Sequence, residues 1–323
     1  MTSEAAPATS SNAASWVTLA ALALCLAILE MIAPVPIALR GLVPLILATV
    51  TLTGVAYFYR AIRPCEEFSD MCMSLLQVLL FSAIGVSLSY LAARADNPLW
   101  DATLAHWDRS LGFDWMAAMR FVDRSALLTD LLFLAYHSLI PQIIFVVCVL
   151  GFERRLTQLR MVMLAAMLCG SICILISAFM PAVAYGVFYN VHPSDFHHVF
   201  PGAGFVKMPD FESLRAGTIP KLDLLTMQGI ITFPSYHAGL SAITCWGFCK
   251  SGKMWLRVPG ATLATLTIIS TPIDGGHYLV DVIAGIVIAA VCLLAASRAI
   301  YFRLPLPAIR ALPFRRSREA FAR

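Results

Sequence analysis

The sequence predicts an all-α, polytopic membrane protein, a bundle of about eight transmembrane helices. Three observations carry that reading. Of 323 residues, 59% are hydrophobic and only 13% charged, about half the charged fraction of a soluble domain. The mean hydropathy is +0.79. Apolar runs recur at about 16–36, 41–59, 72–93, 126–150, 161–183, 233–249, 255–272 and 278–300, each near the roughly 20 residues that cross a bilayer as a helix.

Residues 1–15 are small and polar and contain no Lys or Arg. A secretory signal begins with positive charge, so this stretch reads as a disordered tail before a retained helix. The first two runs, within 16–60, form an added hairpin. Between the third and fourth runs, residues 94–125 hold Trp100, Trp107 and Trp115 among alternating Asp and Arg. Indoles favour the headgroup level, which predicts one or two helices lying flat on the outer leaflet, as a connector or a rim for lipid access. The fourth run carries His137 and Gln142 inside a span, where polar groups either serve a substrate or join helices.

The connection 184–232 is long enough to be functional or disordered. Its His192, Asp195, His197 and His198 lack the spacing of a metal site, so no metal ligands and no cofactor are expected. The nine cysteines include no C-x-x-C pair, and eight of them lie in or beside apolar runs as small core residues.

Basic residues orient the bundle. With both ends inside, the inner connections hold Arg60 and Arg63; Arg154, Arg155 and Arg160; Lys250, Lys253 and Arg257; and the arginines of a tail from Arg298 to Arg323. Together these are 15 of the 23 basic residues. That asymmetry predicts a multi-pass inner-membrane protein. The net charge of +4 is spread over turns and tail, a topology signal and not a nucleic-acid surface.

Two motifs fall on the outer, periplasmic side. Phe233-Pro-Ser-Tyr-His237 places Pro234 and Ser235 where a helix begins, an end whose free amides attract anions. Asp274-Gly-Gly-His-Tyr-Leu-Val-Asp281 places His277 and Asp281 four residues apart on one helical face, so the carboxylate can hold one imidazole nitrogen and leave the other to attack. The forty residues between cross the bilayer and return, which brings both histidines to one side.

PSYH and HYLVD resemble the second and third motifs of the type 2 phosphatidic acid phosphatase superfamily, and FPS-x-H with GGHYLVD looks closer to its inositol phosphorylceramide synthase branch. The resemblance covers about 73–300. It implies a six-helix catalytic core within 72–300, followed by a basic cytoplasmic tail, 301–323. It implies catalytic residues His277 as nucleophile forming a phosphohistidine, Asp281 as its orienter and His237 as acid. Ser235 and Gly276 would bind phosphate, with Gly275 beside them. The expected partner is a lipid phosphate, attacked finally by water (a phosphatase) or by an alcohol (a phosphotransferase).

The superfamily's first motif, K, six residues, R-P, is absent, and Thr271 stands where the third motif has arginine. Arg215 and then Lys221 are the expected replacement cations. The alternative reading is a lipid-binding or transport protein that keeps the histidines as structural pairs.

Overall fold

A computed structural model describes residues 12–35, 38–200, 202–218 and 222–301, and it contains no strand among them. The start of the N-terminal tail, and the basic tail beyond Tyr301, lie outside the described residues. Helix α1 (Ala13–Ile32) begins inside the stretch expected to be tail.

Among the described residues five helices are long and apolar enough to cross a membrane: α1; α2 (Leu39–Tyr57), prolonged by a π-helical turn, Phe58–Ile62; α3 (Glu66–Ala93); α8 (Leu156–Phe179); and α13 (Leu279–Tyr301). A sixth crossing is broken. Helices α6 (Ala126–His137) and α7 (Leu139–Phe152) meet at 58°. Two local chemistries explain the break. The Ser138 hydroxyl donates to the Ala135 carbonyl at 2.7 Å, and Pro141 has no N–H to offer the carbonyl one turn back.

The sixth and seventh predicted crossings differ. Helix α11 (Tyr236–Cys249) has 14 residues, about 21 Å at 1.5 Å per residue, which is short of a hydrocarbon core of about 30 Å. Helix α12 (Met254–Asp274) has 21 residues, but its threonines, Pro259 and Pro272 dilute its hydropathy. The two pack on each other as a hairpin, with α11 also against α7, α8 and α13. Helix α8 sits at the centre, touching α1, α3, α7, α11 and α13, and Val162, Ala165, Cys169 and Cys173 on it are wholly buried.

One end of the bundle is tied by charge. Arg160 on α8 is buried against Asp70 of α3, and Glu153 accepts from the Ser251 hydroxyl at 2.6 Å and the Gly252 amide at 2.7 Å, which closes the α11–α12 turn. The opposite end carries a cap of short helices: α4 (Asp101–Ser110), α5 (Trp115–Asp123), α9 (Tyr185–Phe188) and α10 (Gly202–Arg215).

The tryptophan-rich segment thus forms two helices, as expected, yet it does not simply float at headgroup level. Trp115 is fully buried. Its Nε1–H donates to the Pro272 carbonyl at 2.8 Å and its ring stacks on Tyr185 at 4.4 Å. Trp107 remains exposed.

Candidate active site

The two motifs meet because their helices touch backbone to backbone. Ser235 is the N-cap of α11, its hydroxyl accepting the Ala238 amide at 3.3 Å, while its own amide donates to the Asp281 carbonyl at 3.0 Å. Pro234 therefore precedes the cap instead of lying in the first turn. A Cβ on Gly285 would overlap the Ser235 carbonyl, and one on Gly239 would stand 2.9 Å from the Gly285 carbonyl. Only glycines permit this approach. Gly285→Ala is expected to cost about 1–3 kcal/mol of stability and to lower the unfolding temperature in detergent. Gly54→Ala, with nothing within 4 Å of the added carbon, should not lower it.

His277 Nδ1 lies 3.2 Å from Asp281 Oδ2, which also accepts the Tyr278 amide at 2.9 Å. Asp281 is fully buried and His277 nearly so. The carboxylate acceptor places the proton on Nδ1 and leaves Nε2 its lone pair. Burial, followed by the nearby Lys207 charge, holds the His277 imidazole well below the ordinary histidine range, so it is neutral. The ring also meets the Thr232 backbone, and Thr232 Oγ1 accepts from Lys207 Nζ at 2.6 Å. Lys207 is thus a buried cation one residue away from the histidine. Its burial lowers its pKa to about 8, a fall limited by the charges of Asp281 and Asp101.

His237 stacks on Tyr136 with ring centres 4.5 Å apart and planes at 11°. His237, His277 and Lys207 all line one cavity of about 1120 Å³. Its polar end also holds Asp274, and its length is walled by apolar side chains such as Phe81 and Val86 of α3, Ile143 of α7 and Met167 of α8. The volume accommodates lipid chains.

Two carboxylates on α4 hold this arrangement from outside. Asp108 accepts the Leu279 and Val280 amides at 2.8 and 2.9 Å, capping α13 from a distant part of the chain. Asp101 accepts the Val183 amide at 3.0 Å and the Tyr278 hydroxyl at 2.8 Å. It also accepts, at 3.3 Å, the amide of Ala184, whose φ of 109° is unusual for a residue with a Cβ. Burial raises the pKa of both carboxyls, and the donated amides offset part of the rise.

The other expected phosphate ligands stand elsewhere. Ser235 is fully buried as a cap and Gly276, at φ 65°, forms the turn before His277; neither lines the cavity. Arg215 pairs with Asp96 at 2.6 Å, donates to the Asn97 carbonyl at 3.0 Å and lies over Phe211. It does not line the cavity, and its guanidinium is held by the loop that carries Asp96 and Asn97. Lys221 lies outside the described residues. Lys207 is the cation that sequence reasoning missed. One signal could have found it, since Lys207 precedes Arg215 by eight positions, one longer than the first-motif spacing and without the proline.

Gln142 joins helices, donating to Thr267 Oγ1 at 2.9 Å, whereas His137 lines the cavity. The histidine-rich loop is ordered by carboxylates: Asp123 accepts the amides of His197, His198 and Val199. Burial raises the Asp123 pKa slightly, but those three amides outweigh it and hold it at about 2. Among the described residues no three His, Cys, Asp or Glu side chains gather as a metal-ligating group.

A family model described as the PAP2 superfamily matches residues 102–295, which include both motifs, Asp108 and Lys207. No curated protein and no solved structure gives a significant match.

Proposed function

Since the chain belongs to the PAP2 superfamily, matched over more than half its length, we propose that it is a membrane enzyme that removes or transfers the phosphoryl-containing group of a lipid through a phosphohistidine on His277. The observation that carries the proposal is the buried His277–Asp281 pair, whose histidine shares a lipid-sized cavity with His237 and Lys207.

In this reading the lipid chains lie in the cavity and the phosphate sits at its polar end. His277 Nε2 attacks phosphorus and the bond to the leaving oxygen breaks; burial lowers the His237 pKa to about 4 in the free protein, so His237 takes up a proton when the anionic phosphate is bound beside it and then gives that proton to the leaving oxygen. Asp281 keeps Nδ1–H in place and stabilises the charge on the ring. Lys207 neutralises the equatorial oxygens, where most phosphoryl-transfer catalysis resides. Water or an alcohol then gives a proton to His237 and attacks the phosphohistidine, restoring His277. Ser235 and Gly276 act through the backbone, one starting α11 and the other turning the chain into His277.

The sequence form FPS-x-H with GGHYLVD supports transfer to an alcohol, in the manner of the inositol phosphorylceramide synthases. The test is purified protein against a panel of lipid phosphates, with chelator present and with or without an alcohol acceptor, following both free phosphate and new lipid. Phosphate release alone identifies a phosphatase, and acceptor-dependent lipid product a transferase. Activity that requires added zinc would overturn the metal-free mechanism.

The basic residues at the Arg160 end, set against the motifs at the other, support an active site on the periplasmic face of the inner membrane. Phe200 is exposed in the cap and Lys253 lies in the opposite turn. A membrane-impermeant thiol reagent applied to intact cells should therefore add label to Phe200→Cys and none to Lys253→Cys. The reverse pattern would invert the topology.

A further inference from the structure

His137 is the last residue of α6 and stands at the break in the α6–α7 crossing; the mechanism above does not use it. An ionisable side chain at membrane depth is costly unless it serves a partner or a ligand. This one is exposed and lines the cavity. Among the described residues its ring nitrogens have no hydrogen-bond or ion-pair partner, and its contacts are with the rings of Phe133 at 4.2 Å and Tyr136 at 5.3 Å. Irregular backbone at membrane depth is tolerated where it lines a cavity, and here the break and the imidazole fall together on the cavity wall.

Tyr136 connects His137 to the catalytic group. Its ring stacks on His237 and meets the His137 ring at 89°. The two histidines stand close enough for a charge on one to act on the other.

Phosphoryl transfer needs donors to three equatorial oxygens, and this site is short of them. Lys207 is the one Lys or Arg among the residues that line the cavity. Thr271, in the place of the third-motif arginine, spends its hydroxyl on the Thr267 carbonyl at 2.7 Å. Arg215 is held by Asp96 and Asn97, and the Tyr236 hydroxyl donates to the Ala166 carbonyl at 3.2 Å. His277 and His237 are engaged with phosphorus and the leaving oxygen. His137 is a donor at this end that is both open and unspent, because an imidazole carries an N–H whether neutral or charged.

We propose that His137 is a phosphate-binding residue: its ring N–H donates to a phosphate oxygen, sharing with Lys207 the charge that the superfamily leaves to the absent motif cations. The inference rests on the phosphoryl-transfer reading above and adds to it a phosphate ligand supplied by the broken crossing.

The test compares phosphatidic acid with diacylglycerol of the same chains. Binding is measured by native mass spectrometry in the His277→Ala background, and turnover in the otherwise unaltered enzyme. His137→Phe keeps a ring against Tyr136 and loses the donor, so it should lower the preference for phosphatidic acid at least about fivefold. His137→Gln, which restores an N–H, should recover part of it. If His137→Phe does not stay folded, judged by its unfolding temperature, the comparison rests on His137→Leu against His137→Gln. Inhibition of turnover by inorganic phosphate separates the sources of the ligand. Weaker inhibition in His137→Phe means that the residue holds any phosphate, and unchanged inhibition beside a lowered lipid preference means that it holds a phosphate positioned by its lipid chains; both uphold the assignment.

Equal weakening of the two lipids would overturn the inference, because His137 would then meet the chains or their ester carbonyls. So would an unchanged preference with turnover lost, the pattern of a proton relay to His237. A preference that depends on His137 with no turnover of any lipid phosphate would uphold the phosphate site and defeat the enzymatic reading. Turnover with a preference indifferent to His137 would do the opposite.

Discussion

His277→Ala should lower turnover by at least about 10³-fold, the scale on which loss of a nucleophile acts when it works as a unit with its base, and should abolish any acid-labile phosphoenzyme. His237→Ala should behave differently. It removes the acid that protonates the leaving oxygen, so turnover of a lipid substrate should fall by about 10²–10⁴, while an ester with a good leaving group should still label the protein. The two variants are distinguished by rapid-quench labelling with a radioactive phosphate ester. An acid-labile phosphoenzyme in His277→Ala would assign the nucleophile wrongly. The contrast is informative because both rings line the same cavity, so a mere packing defect would not separate labelling from turnover.

The second large effect is expected at Lys207. Lys207→Met should lower kcat/KM by at least about 10²-fold, the loss typical when one preorganised donor to a developing charge is removed. The pH profile gives a sharper check. Burial lowers the Lys207 pKa from its ordinary value to about 8, so the charged form predominates below that pH and is lost as pH rises through it. In the free enzyme kcat/KM should therefore fall on the alkaline side of about pH 8. Arginine stays protonated throughout, so Lys207→Arg should flatten the alkaline limb even if its longer side chain lowers the plateau. An alkaline limb unchanged in Lys207→Arg would remove this lysine from the phosphate site.

The parts of the architecture that depend on composition and local periodicity were legible in the sequence. Apolar runs marked the helices to within a few residues, and His277 and Asp281 do meet, although His277 stands in the turn before α13 and not on its face. The cation was not legible, because Lys207 and Arg215 both stand on one amphipathic helix and only tertiary contacts divide their labour. Asp96 and Asn97, more than a hundred positions away, occupy the arginine. Asp101 and Asp108 escaped for the same reason: on paper they are charges of a surface helix, and only folding shows that Asp101 accepts the Tyr278 hydroxyl and Asp108 the Leu279 and Val280 amides, all from the segment carrying His277 and Asp281. The break at Ser138 was hidden by unbroken hydropathy, since Ser and Pro interrupt hydrogen bonding without making a run less apolar.

The cavity has a kinetic consequence. Its walls are drawn in part from the predicted membrane helices α2, α3, α6 and α7, and two of its lining residues, Phe133 and Ile140, are more than half exposed. A lipid that reaches such a site arrives by diffusing within the plane of the membrane. Its effective concentration is then a surface mole fraction, so an assay in mixed micelles should slow when detergent is added at constant total substrate, and saturation constants in molar units will change with every bilayer or micelle in which they are measured.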